Sequence, residues 1–167
     1  MLLTLLAAVP SWGKEPKPDD DDAVFAKEDY PRDSVKKILS REPCKPRVKE
    51  PVVKDVLFSA EMRWQGGARA APPERRKLLK LWAEKAGDPE AAGRYGQERS
   101  FIEDGVVYWA AVPDAMLSYL KMDFQPGDQI LVYFSFAGCV EGKPALALEE
   151  YEESGAYDAT GEEDVVV

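Results

Sequence analysis

The sequence predicts an α+β domain in which five strands close a small β-barrel, with a helix between strands 3 and 4 and a helical insertion after strand 1. Three observations predict it. Asp104-Gly105 lies between two β-rich runs, a strong hairpin pattern because both residue types tolerate positive φ. Pro113 opens an amphipathic segment that Pro126-Gly127 ends. Gln129 to Ala137 alternates aromatic and β-branched residues and is followed, after Gly142 and Pro144, by a second β-like run from Ala145 to Tyr151.

The elements follow in order. Asp33 or Ser34 can cap a short helix through Ile38, with Val35 and Ile38 as its apolar contacts. Val52 to Trp64 carries the composition of a long first strand, which Gly66-Gly67 is expected to close. Pro72-Pro73-Glu74 opens a helix to about Ala86 with Gly87 as its stop. Leu78, Leu79, Trp82 and Ala86 form its apolar stripe, and Arg75, Arg76, Lys77 and Lys80 its polar face. Asp88 to Tyr95 holds a further helical turn. In the hairpin, Val106, Tyr108 and Ala110 face one side and Val107, Trp109 and Ala111 the other. Met116, Leu117, Leu120 and Phe124 make the buried face of the next helix. Without the insertion, this is the element order of an OB-fold.

The 167 residues divide into a signal-like apolar segment (1–13), an irregular linker with a short helix (14–50), the OB-like barrel domain (51–152) and an acidic tail expected to be disordered (153–167). Met1 to Gly13 has the length of a signal-peptide apolar region and is too short to span a bilayer, so the expected location is periplasmic or secreted, with no transmembrane anchor. The alternative is an ordinary apolar N-terminus of a cytoplasmic protein. Cys44 and Cys139 are a possible disulfide that would tie the N-terminal segment to the last hairpin.

The net charge of −9 is concentrated at one end. Eight acidic residues and no Lys or Arg follow Leu148, leaving 22 basic against 23 acidic residues in 1–148, a net of −1. A duplex-binding protein needs a basic cluster, and Arg69, Arg75, Arg76, Lys77 and Lys80 with Glu74 and Glu84 interspersed read better as a solvated helix face. Nucleic acid is therefore not the expected partner. Asp19 to Asp22 lacks the alternation and glycine of a calcium loop.

Catalytic patterns are sparse. With no histidine, Ser-His-Asp and Cys-His mechanisms are excluded, and neither phosphate-binding glycine motif occurs. No metal or cofactor site is predicted, and no catalytic residue is assigned. Glu61, Glu103, Asp104 and Asp114 are the acids in or beside barrel elements that a carboxylate-dependent hydrolase of the cell envelope would use, although each has a plainer role at a strand edge, turn or helix start. Trp64, Tyr108, Trp109 and Tyr133 are the candidate binding aromatics, since OB barrels use a strand face to stack bases or sugars. Tyr119 and Tyr151 complete the set.

Glu103-Asp104-Gly105-Val106-Val107-Tyr108-Trp109, Tyr119-Leu120, Pro126-Gly127-Asp128-Gln129-Ile130-Leu131-Val132-Tyr133 and Glu149-Glu150-Tyr151 together resemble an uncharacterised set of bacterial proteins with an EDG…YW..V…GD..LY pattern, over roughly residues 57–151. The family-like Gln-Glu after Val112 is here Pro113-Asp114, and the ending Asn-Glu-Phe is Glu149-Glu150-Tyr151. The resemblance implies fold and compartment, and no activity. The leading expectation is thus an exported, non-catalytic module that binds an envelope protein or ligand. The envelope hydrolase and a single-strand nucleic-acid binder are the alternatives.

Overall fold

The computed structural model describes residues 25–46 and 50–155. The signal-like segment, the Asp19 to Asp22 run and the tail from residue 156 lie outside the described residues. The chain is α+β, with helices α1 (Val35–Arg41), α2 (Pro73–Ala86) and α3 (Asp114–Asp123). Its strands are β1 (Val52–Ala70), β2 (Gln97–Glu103), β3 (Val106–Val112), β4 (Gln129–Val140) and β5 (Lys143–Glu153). The five strands hydrogen-bond in a ring, β1-β2-β3-β5-β4, closed by the β1–β4 pairing. Every pairing is antiparallel except β3 with β5, which meet briefly at Ala110–Leu146 and Ala111–Ala147.

The hairpin turn forms where expected, with Asp104 and Gly105 at φ of 49° and 79°. The first strand differs from expectation. Gly66-Gly67 does not end β1, which continues to Ala70. The pair is instead the bend that lets one strand serve two neighbours. β1 pairs with β4 as far as Arg63–Gln129 and with β2 from Arg63–Ile102 to Ala70–Gln97, with the register broken between Trp64 and Ala68. Gly66 takes a φ of 75°, and a Cβ on Gly67 would come within 2.2 Å of the Ser100 hydroxyl, so both positions favour glycine.

The inward faces supply the main core: Phe58, Ala60, Met62 and Trp64 of β1, Phe101 of β2, Ala110 and Val112 of β3, Val132, Phe134 and Phe136 of β4, and Leu146 and Leu148 of β5. Leu120 of α3 is fully buried, while Met116, Leu117 and Phe124 pack partly against the core, as their spacing predicts. A second cluster forms outside the ring, where Leu78, Leu79, Trp82 and Ala83 of α2 lie against Ala137, Val140, Ala145 and Ala147. In that stripe Ala83 takes the place expected for Ala86, which is exposed. Arg75, expected on the polar face, is buried.

The segment read as a linker is partly core. Val35 and Ile38 of α1 are buried with the barrel residues, and the helix runs to Arg41. Ser34 is the cap, accepting from the Lys37 amide at 3.1 Å. Before it, Pro31 to Asp33 runs beside β1: the Ser59 amide donates to the Pro31 carbonyl at 3.0 Å, and the Asp33 amide to the Ser59 carbonyl at 2.9 Å. This covers the strand edge that β2, starting further along, leaves open. Cys44 and Cys139 form the disulfide, with Cα atoms 5.3 Å apart, and tie the end of this strap to β4. Among the described residues no helix is long and apolar enough to cross a membrane.

Candidate functional site

The four aromatics singled out in the sequence do not share a face. Trp64 points into the ring against Phe101, ring centroids 5.4 Å apart, and its backbone holds the Pro126-Gly127-Asp128 turn through two hydrogen bonds of 2.8 Å. Tyr108 is half-buried against the same core, and burial, followed by the neighbouring Glu103 and Asp104 charges, pushes its hydroxyl pKa up. Trp109, next in sequence, faces outward with the Arg69 guanidinium 4.1 Å from its ring centroid. Tyr133 is buried on the outer side of β4, in a cluster with Phe25 and Tyr30 of the strap, and donates to Glu152. Strand alternation separates neighbours, and these rings therefore form no common stacking surface.

One end of the outer face of β2–β3 is instead closed by ion pairing. Glu98, fully buried, receives Arg75 Nη1 of α2 at 2.8 Å and Arg69 Nε of β1 at 2.6 Å. Arg75 also donates to the Trp109 carbonyl at 3.1 Å. Two members of the expected basic face thus neutralise one buried carboxylate and pin α2 across the sheet. Arg76, Lys77 and Lys80 remain on the solvent side, with Lys80 4.0 Å from Glu84.

Of the four acids considered for catalysis, Glu61, Glu103 and Asp104 come together beside the β2–β3 turn and Asp114 lies apart, and each has a local role. Glu103, at the end of β2, accepts the Val35 amide at 2.9 Å and the Lys36 amide at 3.1 Å, so its carboxylate closes the first turn of α1. Asp104 is the turn residue, Glu61 pairs with Arg32 at 2.9 Å, and Asp114 begins α3.

What the fold does bring together is a band of clefts where β4 enters the ring. The largest of them, about 640 Å³, lies between the end of α3 and the end of β5 and is lined by Asp123, Phe124, Asp128, Gln129 and Tyr151 to Ser154. Phe124 and Tyr151 meet edge to face, 5.5 Å between centroids. The Tyr151 hydroxyl donates to Asp123 at 2.8 Å, and its pKa is raised by burial and then by Asp123. Gln129 also lines a second cleft of about 400 Å³ with Glu61, Arg63, Ile102 and the Glu103-Asp104-Gly105 turn. Glu61, Glu103 and Asp104 in turn line a third, of about 340 Å³, with Arg32 and Asp33. The sequence marked Tyr151 only as a possible aromatic and Asp128 as part of a turn. Their convergence depends on ring closure and has no local pattern.

A second feature was also missed. Tyr133 pairs with Glu150 and Phe134 with Leu148, so Glu149 is the extra residue of a β-bulge. Its carboxyl lies outside the ring, accepting the Tyr95 hydroxyl at 3.4 Å and the Ser135 hydroxyl. Burial raises its pKa, which these hydrogen bonds and Arg94 oppose and Asp55 reinforces. Tyr95 and Tyr30 are raised as well, by burial and then by Glu149. Among the described residues no group of His, Cys, Asp and Glu side chains is arranged to hold a metal ion.

Neither a family model nor a curated protein sequence matches this chain.

Proposed function

We propose that the chain is an exported, non-catalytic OB-like binding module that acts on another component of the cell envelope through the cleft band at the start of β4. The observation that carries the reading is the contrast between two surfaces. In OB barrels the β2–β3 face and the adjoining loops bind ligands. Here one end of that face is closed, where Glu98, Arg75, Arg69 and Trp109 are engaged with one another, while α2 itself lies over β4 and β5. The clefts beside Gln129 stay open and are lined by polar and aromatic groups. The apolar run 1–13 and the Cys44–Cys139 bond support export, since disulfides persist in oxidising compartments.

The same contrast weighs against single-stranded nucleic acid, which needs a basic groove with free aromatic faces. An envelope hydrolase needs a carboxylate pair across one substrate site. Three of the acids named for it, Glu61, Glu103 and Asp104, do line one cleft, but Glu103 is held by the α1 amides and Glu61 by Arg32, while Asp114 begins α3 elsewhere.

In-cell photo-cross-linking tests the reading. A photoreactive amino acid at Gln129 or Ser154 is expected to trap a partner in the envelope fraction, and the same group at Lys77, on the solvent side of α2, to trap none. Cross-links confined to Lys77, or a chain recovered reduced from the cytoplasm, would overturn it.

A further inference from the structure

Resting on the binding-module reading, we infer that the cleft band is a groove for an extended, lysine- or arginine-rich polypeptide segment of the partner. Three observations converge. First, the clefts run in series: Gln129 belongs to the first and second, and Glu61, Glu103 and Asp104 to the second and third. A ligand using all three is elongated. Second, among the described residues eight carboxylates and two arginines line them, and no Lys or Arg lines the largest cleft, whose Glu152 is met from outside by Lys27.

Third, five of those eight carboxylates are in none of the fold's own ion pairs. Asp33, Glu61 and Glu152 pair with Arg41, Arg32 and Lys27, and Glu103 caps α1. Among the described residues, Asp104, Asp123, Asp128 and Glu153 are in no ion pair and are exposed; Asp123 accepts the Tyr151 hydroxyl and Asp128 the Gln125 amide, and both keep their charge unmatched by a cation. The four are spread from one end of the band to the other, so a single small cation meets only part of the charge, whereas a chain with several cationic side chains meets it at both ends. The Phe124–Tyr151 pair adds an aromatic wall for the methylene stem or charged head of a long basic side chain.

The test is an NMR titration of the full chain with an oligolysine peptide, an oligoglutamate and a neutral chitin oligosaccharide, repeated on Asp104→Asn/Glu153→Gln. Both substitutions are conservative: asparagine tolerates the positive φ at 104, and Glu153 is exposed. Oligolysine is expected to shift the amides of Gly105, Gln129 and Ser154. Its affinity should fall as ionic strength rises from about 0.01 to about 0.15 M, where the screening length drops from about 30 to about 8 Å. The double variant should bind it about three- to tenfold more weakly. Shifts confined to α2, unchanged affinity in the variant, or no oligolysine binding would overturn the inference. Salt-insensitive binding of the neutral sugar at Tyr151 would overturn the ligand class while leaving a binding module. Failure of the binding-module reading itself is read separately, from the in-cell cross-links.

Discussion

Glu98 and Glu153 are carboxylates on strands of the same ring, with opposite surroundings. Glu98 is fully buried between two arginines, one of them itself buried and carried by α2. Glu153 is exposed at the lip of the largest cleft, in no ion pair among the described residues. A buried charge persists only if it is matched, because taking it out of water costs several kcal/mol. An exposed charge needs no match, and several of one sign side by side weaken the fold through repulsion. The first region is therefore read as architecture and the second as a surface kept for a partner.

The sharpest way to break the comparison is to unmatch the buried charge. Arg75→Ala leaves Glu98 with Arg69 alone and opens the contact to the Trp109 carbonyl. It is expected to cost about 3 kcal/mol in urea unfolding, the lower part of the range for broken buried pairs. Glu103 extends the same logic, since it compensates backbone amides. Glu103→Ala strands the Val35 and Lys36 amides and is expected to cost about 2 kcal/mol, with faster hydrogen exchange at the start of α1. Glu103→Gln, which keeps one acceptor oxygen, should lose less.

Glu149 sits between the two cases, half-buried and hydrogen-bonded to hydroxyls, with no ion pair of its own among the described residues. Its folded pKa is raised, so between the unfolded value and the folded one the native state holds more protons than the unfolded state. Stability from this group is greatest in acid and falls as pH rises through that window. Glu149→Gln is therefore expected to stabilise the protein at pH 7 by under about 1 kcal/mol and to bring no gain once the native carboxyl is protonated. Asp33 and Glu152 have the opposite sign. Burial pulls both upward, but hydrogen bonds outweigh it, from the Ser34 amide and Arg41 at Asp33 and from Lys27 and Tyr133 at Glu152. Their pKa values are thus lowered, and their contribution is lost as pH falls through the folded values. Melting curves from pH 7 to pH 4 on the parent and the Gln variant separate these effects.

The sequence carried the elements better than their meeting points. The Asp104-Gly105 turn, the Pro113 helix start and the alternating β4 are local events governed by φ preference and side-chain period, and each forms where its residues place it. Gly66-Gly67 was misread because glycine serves equally to end a strand and to bend one. Which occurs depends on β2 arriving alongside with Ser100 against Gly67. Arg75 looked like surface because its partner, Glu98, is 23 residues away on another element. The bulge at Glu149 and the cleft between Phe124 and Tyr151 are products of register and ring closure, which periodicity does not encode.

The unfolding free energy of Asp104→Asn/Glu153→Gln at low salt, measured beside Glu98→Gln, tests the central contrast most directly. If the cleft acids are held for a partner, the double variant has a urea midpoint equal to or above the parent's, while Glu98→Gln falls below it. A double variant that loses stability as Glu98→Gln does would show that the cleft acids belong to the fold's own charge matching and would contradict the assignment of that surface to binding.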